Sequence, residues 1–174
     1  MSNPQILAGP RVWLRPPAVG DAEALFTRVA SDPEVTRYLS WRPHAGVAET
    51  RRVITTLFNV DGEQTWLVEI DGEVAGLCAL RRPQPYVVEL GYCLARPWWG
   101  RGLMSEAVSL MVADLQSDPT VYRLSAYCHI DNAGSAGVLR RCGLSLEGRL
   151  ARYGLFPNLS DEPQDVLLFG KAVR

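Results

Sequence analysis

Apolar positions follow two periods along the chain. Val12, Trp13 and Leu14 within residues 12–15 read as a strand that Pro16 and Pro17 end. Residues 21–29 carry Ala22, Leu25, Phe26 and Val29 at helical spacing, and Asp32-Pro33 stops that helix. A short helical turn is expected over 34–39, and 50–58 places Val53, Ile54, Leu57 and Phe58 on one helical face. The register then changes. Runs at 65–70 and 74–80 flank Asp71-Gly72, a two-residue hairpin signal, and a third run at 86–94 follows Pro83 and Pro85. These three runs predict an antiparallel meander. A glycine-rich turn then leads into a helix over 104–115, a strand over 124–129, a helix over 132–142 ended by Gly143, and closing strands over 144–153 and 166–173. Such an order predicts an α/β chain with a mixed central sheet and helices on both faces.

Composition narrows the reading. A chain of 174 residues suits one domain, spanning 1–174, with a sizeable core. Its 47% hydrophobic and 21% charged content is ordinary globular usage. A net charge of -1 leaves no electrostatic footprint for nucleic acid or an anionic membrane. No apolar run approaches the ~20 residues of a membrane span, and the start lacks the basic and apolar regions of a signal peptide. Cys78, Cys93, Cys128 and Cys142 form no CxxC pair, and His44 and His129 are not spaced with them as zinc ligands. We therefore expect no metal, and reduced, buried cysteines in a cytoplasmic protein.

The run from Glu89 to Ala107 carries the strongest chemical signal. A strand ends near Leu94, Gly100 and Gly102 follow, and a helix begins with Ser105 and Glu106 in its first turn. A helix start leaves about four N–H groups without intrahelical partners, and with the helix dipole these form an anion site. The glycines remove side chains where a phosphate must approach the main chain, and Arg101 adds a positive charge. The same run also reads as an ordinary strand-to-helix turn that needs glycine for its backbone angles. A Walker loop is disfavoured, because it needs a lysine and Lys171 is the only one. A dinucleotide fingerprint is disfavoured too, since Gly100-Arg101-Gly102 lacks the third glycine and follows a meander. A diphosphate held by main-chain amides remains.

Three segments together resemble the GNAT superfamily of N-acetyltransferases, and within it the branch containing the Rim-type enzymes that acetylate ribosomal-protein N termini. They are Val12-Trp13-Leu14-Arg15-Pro16 with Gly20-Asp21-Ala22-Glu23-Ala24-Leu25; Gly91-Tyr92-Cys93-Leu94 with Trp99-Gly100-Arg101-Gly102-Leu103-Met104-Ser105-Glu106-Ala107; and Asn132-Ala133-Gly134-Ser135-Ala136-Gly137-Val138-Leu139-Arg140-Arg141-Cys142-Gly143-Leu144. Gln164-Asp165-Val166 before the last strand also fits, so the match runs in order over nearly the whole chain. The chain departs from the general Q/R-x-x-G-x-G/A motif at Trp99 and Met104, and Leu144 stands where phenylalanine is commoner. Met104, bulkier than the motif's small residue, is expected to crowd the phosphates.

The resemblance implies a GNAT fold and an acetyl-CoA-dependent N-acetyltransferase in which an amine attacks the thioester directly. Longer acyl donors remain open. It implies that coenzyme A enters between the strand ending at Leu94 and the strand at 124–129, touching Leu94, Ala95, Trp99, Gly100, Arg101, Gly102, Leu103, Met104, Ser105, Asn132 and Ser135. The Leu94 N–H would face the thioester oxygen, and Ser135 would lie near the sulfur as an acid. Tyr38, Trp41, Arg42 and His44 would wall the acceptor site, with 153–163 opposite.

The residues themselves add candidates. Glu89 sits in an apolar strand, where burial would raise its pKa and make it a base, although an outward-facing carboxylate is the competing reading. Asn132 and Ser135 share a helix face, yet they also read as an N-cap and a helix-start serine. Tyr127 is either a second acid or packing. The alternative function is a non-catalytic acyl-CoA-binding sensor or partner module, which the presence of Glu89 and Ser135 disfavours. The acceptor is a protein N terminus or a small-molecule amine; Asp161 and Glu162 are the acidic residues placed to attract it. A homodimer through a sheet edge is a further expectation.

Overall fold

The computed structural model describes residues 4–174. Its strands are β1 (Leu7–Ala8), β2 (Trp13–Arg15), β3 (Gln64–Ile70), β4 (Glu73–Gln84), β5 (Val87–Leu94), β6 (Arg123–His129), β7 (Ser145–Gly154) and β8 (Gln164–Ala172). They form one sheet in the order β1-β2-β3-β4-β5-β6-β8-β7. The helices are α1 (Ala22–Leu25), α2 (Pro33–Thr36), α3 (Val47–Thr56), α4 (Leu103–Ser117) and α5 (Ala133–Arg141).

The meander β3-β4-β5 forms as expected. Asp71 and Gly72 both adopt positive φ, at 53° and 77°, which matches the twist a two-residue hairpin needs. Consecutive Trp66, Leu67 and Val68 in β3 are all buried, so both faces of the sheet are covered. α1 packs with α3, and α4 packs with α5 and β5. In α4 the buried Leu103, Ala107, Val108, Met111, Val112 and Leu115 recur at helical spacing and join the core.

Local departures have local causes. β1 is too short for a period to be read from sequence; Gly9 N–H donates to Val12 C=O at 2.8 Å and folds it back on β2. The helix expected over 21–29 is divided into a 3-10 turn at Val19–Asp21, α1, and a π turn at Phe26–Ala30. β4 runs on to Gln84 because its pairing with β5 continues as far as Gln84 opposite Val87.

The sheet's parallel pairing is short. Val87, Val88 and Glu89 of β5 face Arg123, Leu124 and Ser125 of β6. Beyond that point β5 stays with β4 out to Leu94 opposite Gly76, while β6 stays with β8 out to His129 opposite Val166. The two strands therefore diverge inside a continuous sheet, and the wedge opens toward the N terminus of α4.

Candidate active site

A cavity of about 1120 Å³ occupies this wedge, lined by β5, β6, the starts of α4 and α5, and α2. That is the scale of a small-molecule site. The Ala95 N–H donates to Ala75 C=O at 2.7 Å. Main-chain groups alternate along a strand, so Tyr92 and Leu94 direct their N–H groups away from β4, into the wedge. The Leu94 carbonyl on that side accepts from Trp99 Nε1 at 2.5 Å, which pins the indole to the end of β5. Ala95 itself, expected at the cofactor, is fully buried and its amide is spent on β4.

The glycine-rich turn has the conformation an anion cradle needs. Gly100 and Gly102 have φ of 71° and 74°, and Gly102 is the N-cap of α4. A Cβ added at Gly102 would meet only Arg11 Nη2, at 3.8 Å, so backbone angle selects glycine here more than space does. The first α4 amide with a helical partner is that of Glu106, which donates to Gly102 C=O at 3.1 Å. The amides of Leu103, Met104 and Ser105 precede it and line the cavity's end. The Ser105 hydroxyl is buried and lacks a partner among the described residues. A buried unpartnered hydroxyl is costly, and a phosphate oxygen would satisfy it. These residues fit a coenzyme A diphosphate.

Two expectations at the turn are corrected. Met104 does not crowd it, because its side chain turns into the sheet and its sulfur lies 3.9 Å from Cys78 Sγ. The Arg101 side chain is exposed and lies outside the cavity lining; its carbonyl instead accepts from Arg11 Nη1 at 3.2 Å.

Deeper in the wedge, Glu89 lines the cavity with its side chain 18% exposed. It is not the unpaired carboxyl that the apolar strand suggested. Arg81 faces it directly across the β4–β5 register, and Oε1 accepts from Arg81 Nε at 2.8 Å and meets Nη2 at 2.6 Å. Tyr127 is nearby, packed edge-on against Tyr153 at 5.5 Å. Burial, then the Glu89 charge, raises its phenol above the ordinary range, with Arg81 opposing.

Ser135 has a partner that the sequence left unassigned. The Tyr92 hydroxyl donates to Ser135 C=O at 3.1 Å and shares a 2.9 Å bond with Ser135 Oγ. Burial pushes the Tyr92 phenol far above its usual value, so it stays protonated, although the Ser135 bond opposes that rise. Asn132 does cap α5, since its Oδ1 accepts from Ser135 N–H at 3.1 Å. Both Asn132 and Ser135 line the cavity.

On the other side Tyr38 lines the cavity, but Trp41, Arg42 and His44 do not. His44 Nδ1 is 2.8 Å from Thr50 Oγ1 and its ring lies 5.2 Å from that of Trp41, so both buttress the segment after α2. Burial holds the His44 pKa below the usual value. Arg42 is at the surface, 3.4 Å from Asp161, and Glu162 pairs with Arg152 at 2.8 Å. The acids expected to attract a cationic acceptor thus already hold arginines of the chain. The wall is instead made by Glu34, Arg37, Tyr38 and Leu39 with Leu155 and Phe156 opposite. Asn158 ties the two sides together, donating to Thr36 C=O at 2.7 Å and Trp41 C=O at 2.8 Å. Behind them His129, 5% exposed, stacks on Tyr38 and meets Phe156 edge-on, each at 5.0 Å.

Comparison with known proteins adds a family. Residues 11–145 match the acetyltransferase (GNAT) domain. The uncharacterized N-acetyltransferase p20 of Bacillus licheniformis is 29% identical over 82% of this chain and 84% of its own. The ribosomal-protein-serine acetyltransferase of Escherichia coli strain K12 is 28% identical over 59% of this chain and 57% of its own. The solved structure of RimL, a ribosomal-protein acetyltransferase in complex with coenzyme A, has a TM-score of 0.85, covering 97% of this chain and 98% of that one at 21% identity.

Proposed function

Since the chain belongs to the GNAT acetyltransferase family and is an acetyl-CoA-dependent N-acetyltransferase, we propose that its residues 4–174 act as one domain that acetylates the α-amine of a peptide in the β5–β6 wedge. The divergence of β5 from β6 beside the free amides of α4 carries this reading. Acetyl-CoA, when bound, would supply the acetyl thioester.

The chain's own groups divide the remaining work. The turn amides from Gly100 to Ser105, with the Ser105 hydroxyl, hold the diphosphate. The Leu94 and Tyr92 amides, successive donors on one side of β5, bind the pantetheine arm and the oxygen that becomes negative during attack. Asn132 binds the same arm from α5. Glu89 accepts the ammonium proton, directly or through one water, with Arg81 orienting its carboxylate. The hydrogen-bonded Tyr92 and Ser135 hydroxyls donate hydrogen bonds to the departing thiolate, which takes its proton from water.

A peptide acceptor is supported by the surface beside the cavity. A second depression of about 440 Å³ shares Glu34 and Arg37 with it and is walled by Arg42, Pro43, Pro157 and Leu159. The cavity would take the N-terminal residue and the depression the residues that follow. The Escherichia coli relative is named for a ribosomal-protein serine, which points the same way. The exposed β7 edge is where we place a homodimer contact.

Calorimetry with acetyl-CoA, followed by thiol release over a panel of peptides and small amines, tests this. Binding with release on peptides supports the proposal. Release on small amines alone removes the peptide assignment. Binding without release on any acceptor favours an acyl-CoA sensor.

A further inference from the structure

The β1–β2 turn carries an arginine that none of the chemistry above uses. Arg11 reaches from this turn to the start of α4. Its Nε donates to Glu106 Oε2 at 2.8 Å, and its Nη1 donates to the Arg101 carbonyl at 3.2 Å. The main-chain amides of Arg11 and Val12 donate to Glu106 Oε1 at 2.7 Å and 3.1 Å. Four donors from one short turn thus converge on the first turn of α4 and on the glycine-rich loop before it. The remaining nitrogen, Nη2, lies 3.8 Å from where a Cβ on Gly102 would stand and has no hydrogen-bond partner among the described residues.

Glu106 makes this arrangement informative. An acidic side chain in a helix's first turn satisfies the helix dipole when no other anion is present. At this helix it competes with the diphosphate for the same positive end. The carboxylate is only 15% exposed, against 54% for Arg11, so water screens it poorly and its charge must be cancelled locally. Arg11 does this, and by gripping the Arg101 carbonyl it also holds the left-handed turn at Gly100 and Gly102.

We infer that Arg11 is a positioning residue of the coenzyme A site. Paired with Glu106, it fixes the Arg101–Gly102 turn and sets the charge at the start of α4 so that a diphosphate, rather than the chain's own carboxylate, receives the helix's free amides. The inference rests on the cofactor reading given above.

The test compares wild type with Arg11→Met, Glu106→Gln and the double variant, using calorimetry with coenzyme A and turnover of acetyl-pantetheine, which lacks the diphosphate. Thermal unfolding of each variant checks folding. Arg11→Met is expected to weaken coenzyme A binding about tenfold while leaving kcat/KM for acetyl-pantetheine within twofold. Adding Glu106→Gln to Arg11→Met is expected to recover part of the loss, because the uncompensated carboxylate is then gone. Arg11→Met binding coenzyme A within twofold of wild type overturns the inference. So does an equal loss toward coenzyme A and acetyl-pantetheine, which would mark a general packing role. Failure of the wild type to bind coenzyme A would instead sink the cofactor reading itself.

Discussion

Glu89 carries a charge between the buried Val88 and Leu90, and the structure tolerates it because Arg81 meets it across the strand pair. Glu89→Gln keeps the shape and removes the charge. If the carboxylate is the base, acetyl-CoA binding survives and turnover at neutral pH falls by about 10²-fold or more; steady-state kinetics beside calorimetry separates the two. Unchanged turnover would move the base elsewhere. Asp118 supplies a pH-dependent case outside the site. Hydrogen bonds from the Thr120 hydroxyl and amide, with a smaller contribution from Arg82, outweigh burial and hold its pKa at about 2. The folded value lies below the unfolded one, so the stabilisation is present above about pH 4 and is lost as pH falls toward 2. The side chain is 32% exposed, and solvent screening limits the effect to about 1 kcal/mol. Asp118→Asn is therefore expected to cost about that at pH 7 and almost nothing near pH 2. Urea unfolding at both pH values checks this, and a constant difference would contradict it.

Among the elements, the junction of β4 and β5 limits what the site can absorb. Gly76 stands opposite Leu94, and a Cβ there would collide with the Cys93 carbonyl oxygen. Gly76→Ala is expected to push the strands apart where Tyr92 and Leu94 present their amides, costing about 1–3 kcal/mol and weakening acetyl-CoA binding as well. Gly148→Ala in β7 is the control, since nothing lies within 4 Å of the Cβ it would add and it lies outside the cavity lining. Urea unfolding and calorimetry on Gly76→Ala and Gly148→Ala decide the matter; equal effects would show that the close strand approach is not what matters. The π turn at Phe26–Ala30 acts at the same scale, because it ends the first helical segment just before Asp32, whose side chain caps α2 and pairs with Arg96 at 2.6 Å.

For the molecule as a whole, the short parallel contact divides the sheet. The β1–β5 part and the β6–β8 part share few backbone pairs, and a ligand bound in the wedge would bridge them. A ligand that binds only the folded state stabilises it by about 2.7 kcal/mol at 100 times its Kd. For a chain of this size that corresponds to a Tm increase of roughly 5–10 °C. A thermal-shift series against acetyl-CoA concentration checks this, and a Tm indifferent to the ligand would argue against occupation of the wedge.

Much of this architecture is local in origin and was legible along the chain. Asp71-Gly72 specifies its hairpin because few other residues accept positive φ at both positions, and the α4 stripe follows from a period of 3.6. Gly100 and Gly102 marked the left-handed turn before α4 for the same backbone reason. What depends on cross-strand register was not legible. Counting outward from the β4–β5 turn, where Gln84 faces Val87, places Arg82 opposite Glu89; a register shift between Arg81 and Gln84 puts Arg81 there instead. Only the folded chain brings Tyr92 to Ser135, Arg11 to Glu106, and His129 between Tyr38 and Phe156, since these partners lie far apart in sequence. The same holds for Trp41 and His44, which the chain order sets near the acceptor wall and packing turns away from the cavity, whereas Arg42 lines the neighbouring depression. Backbone angles and periodicity are properties of neighbouring residues, so the sequence alone determined the longer elements and the left-handed glycine turn. Proton partners and cavity walls depend on how distant strands meet, and only the tertiary structure decided them.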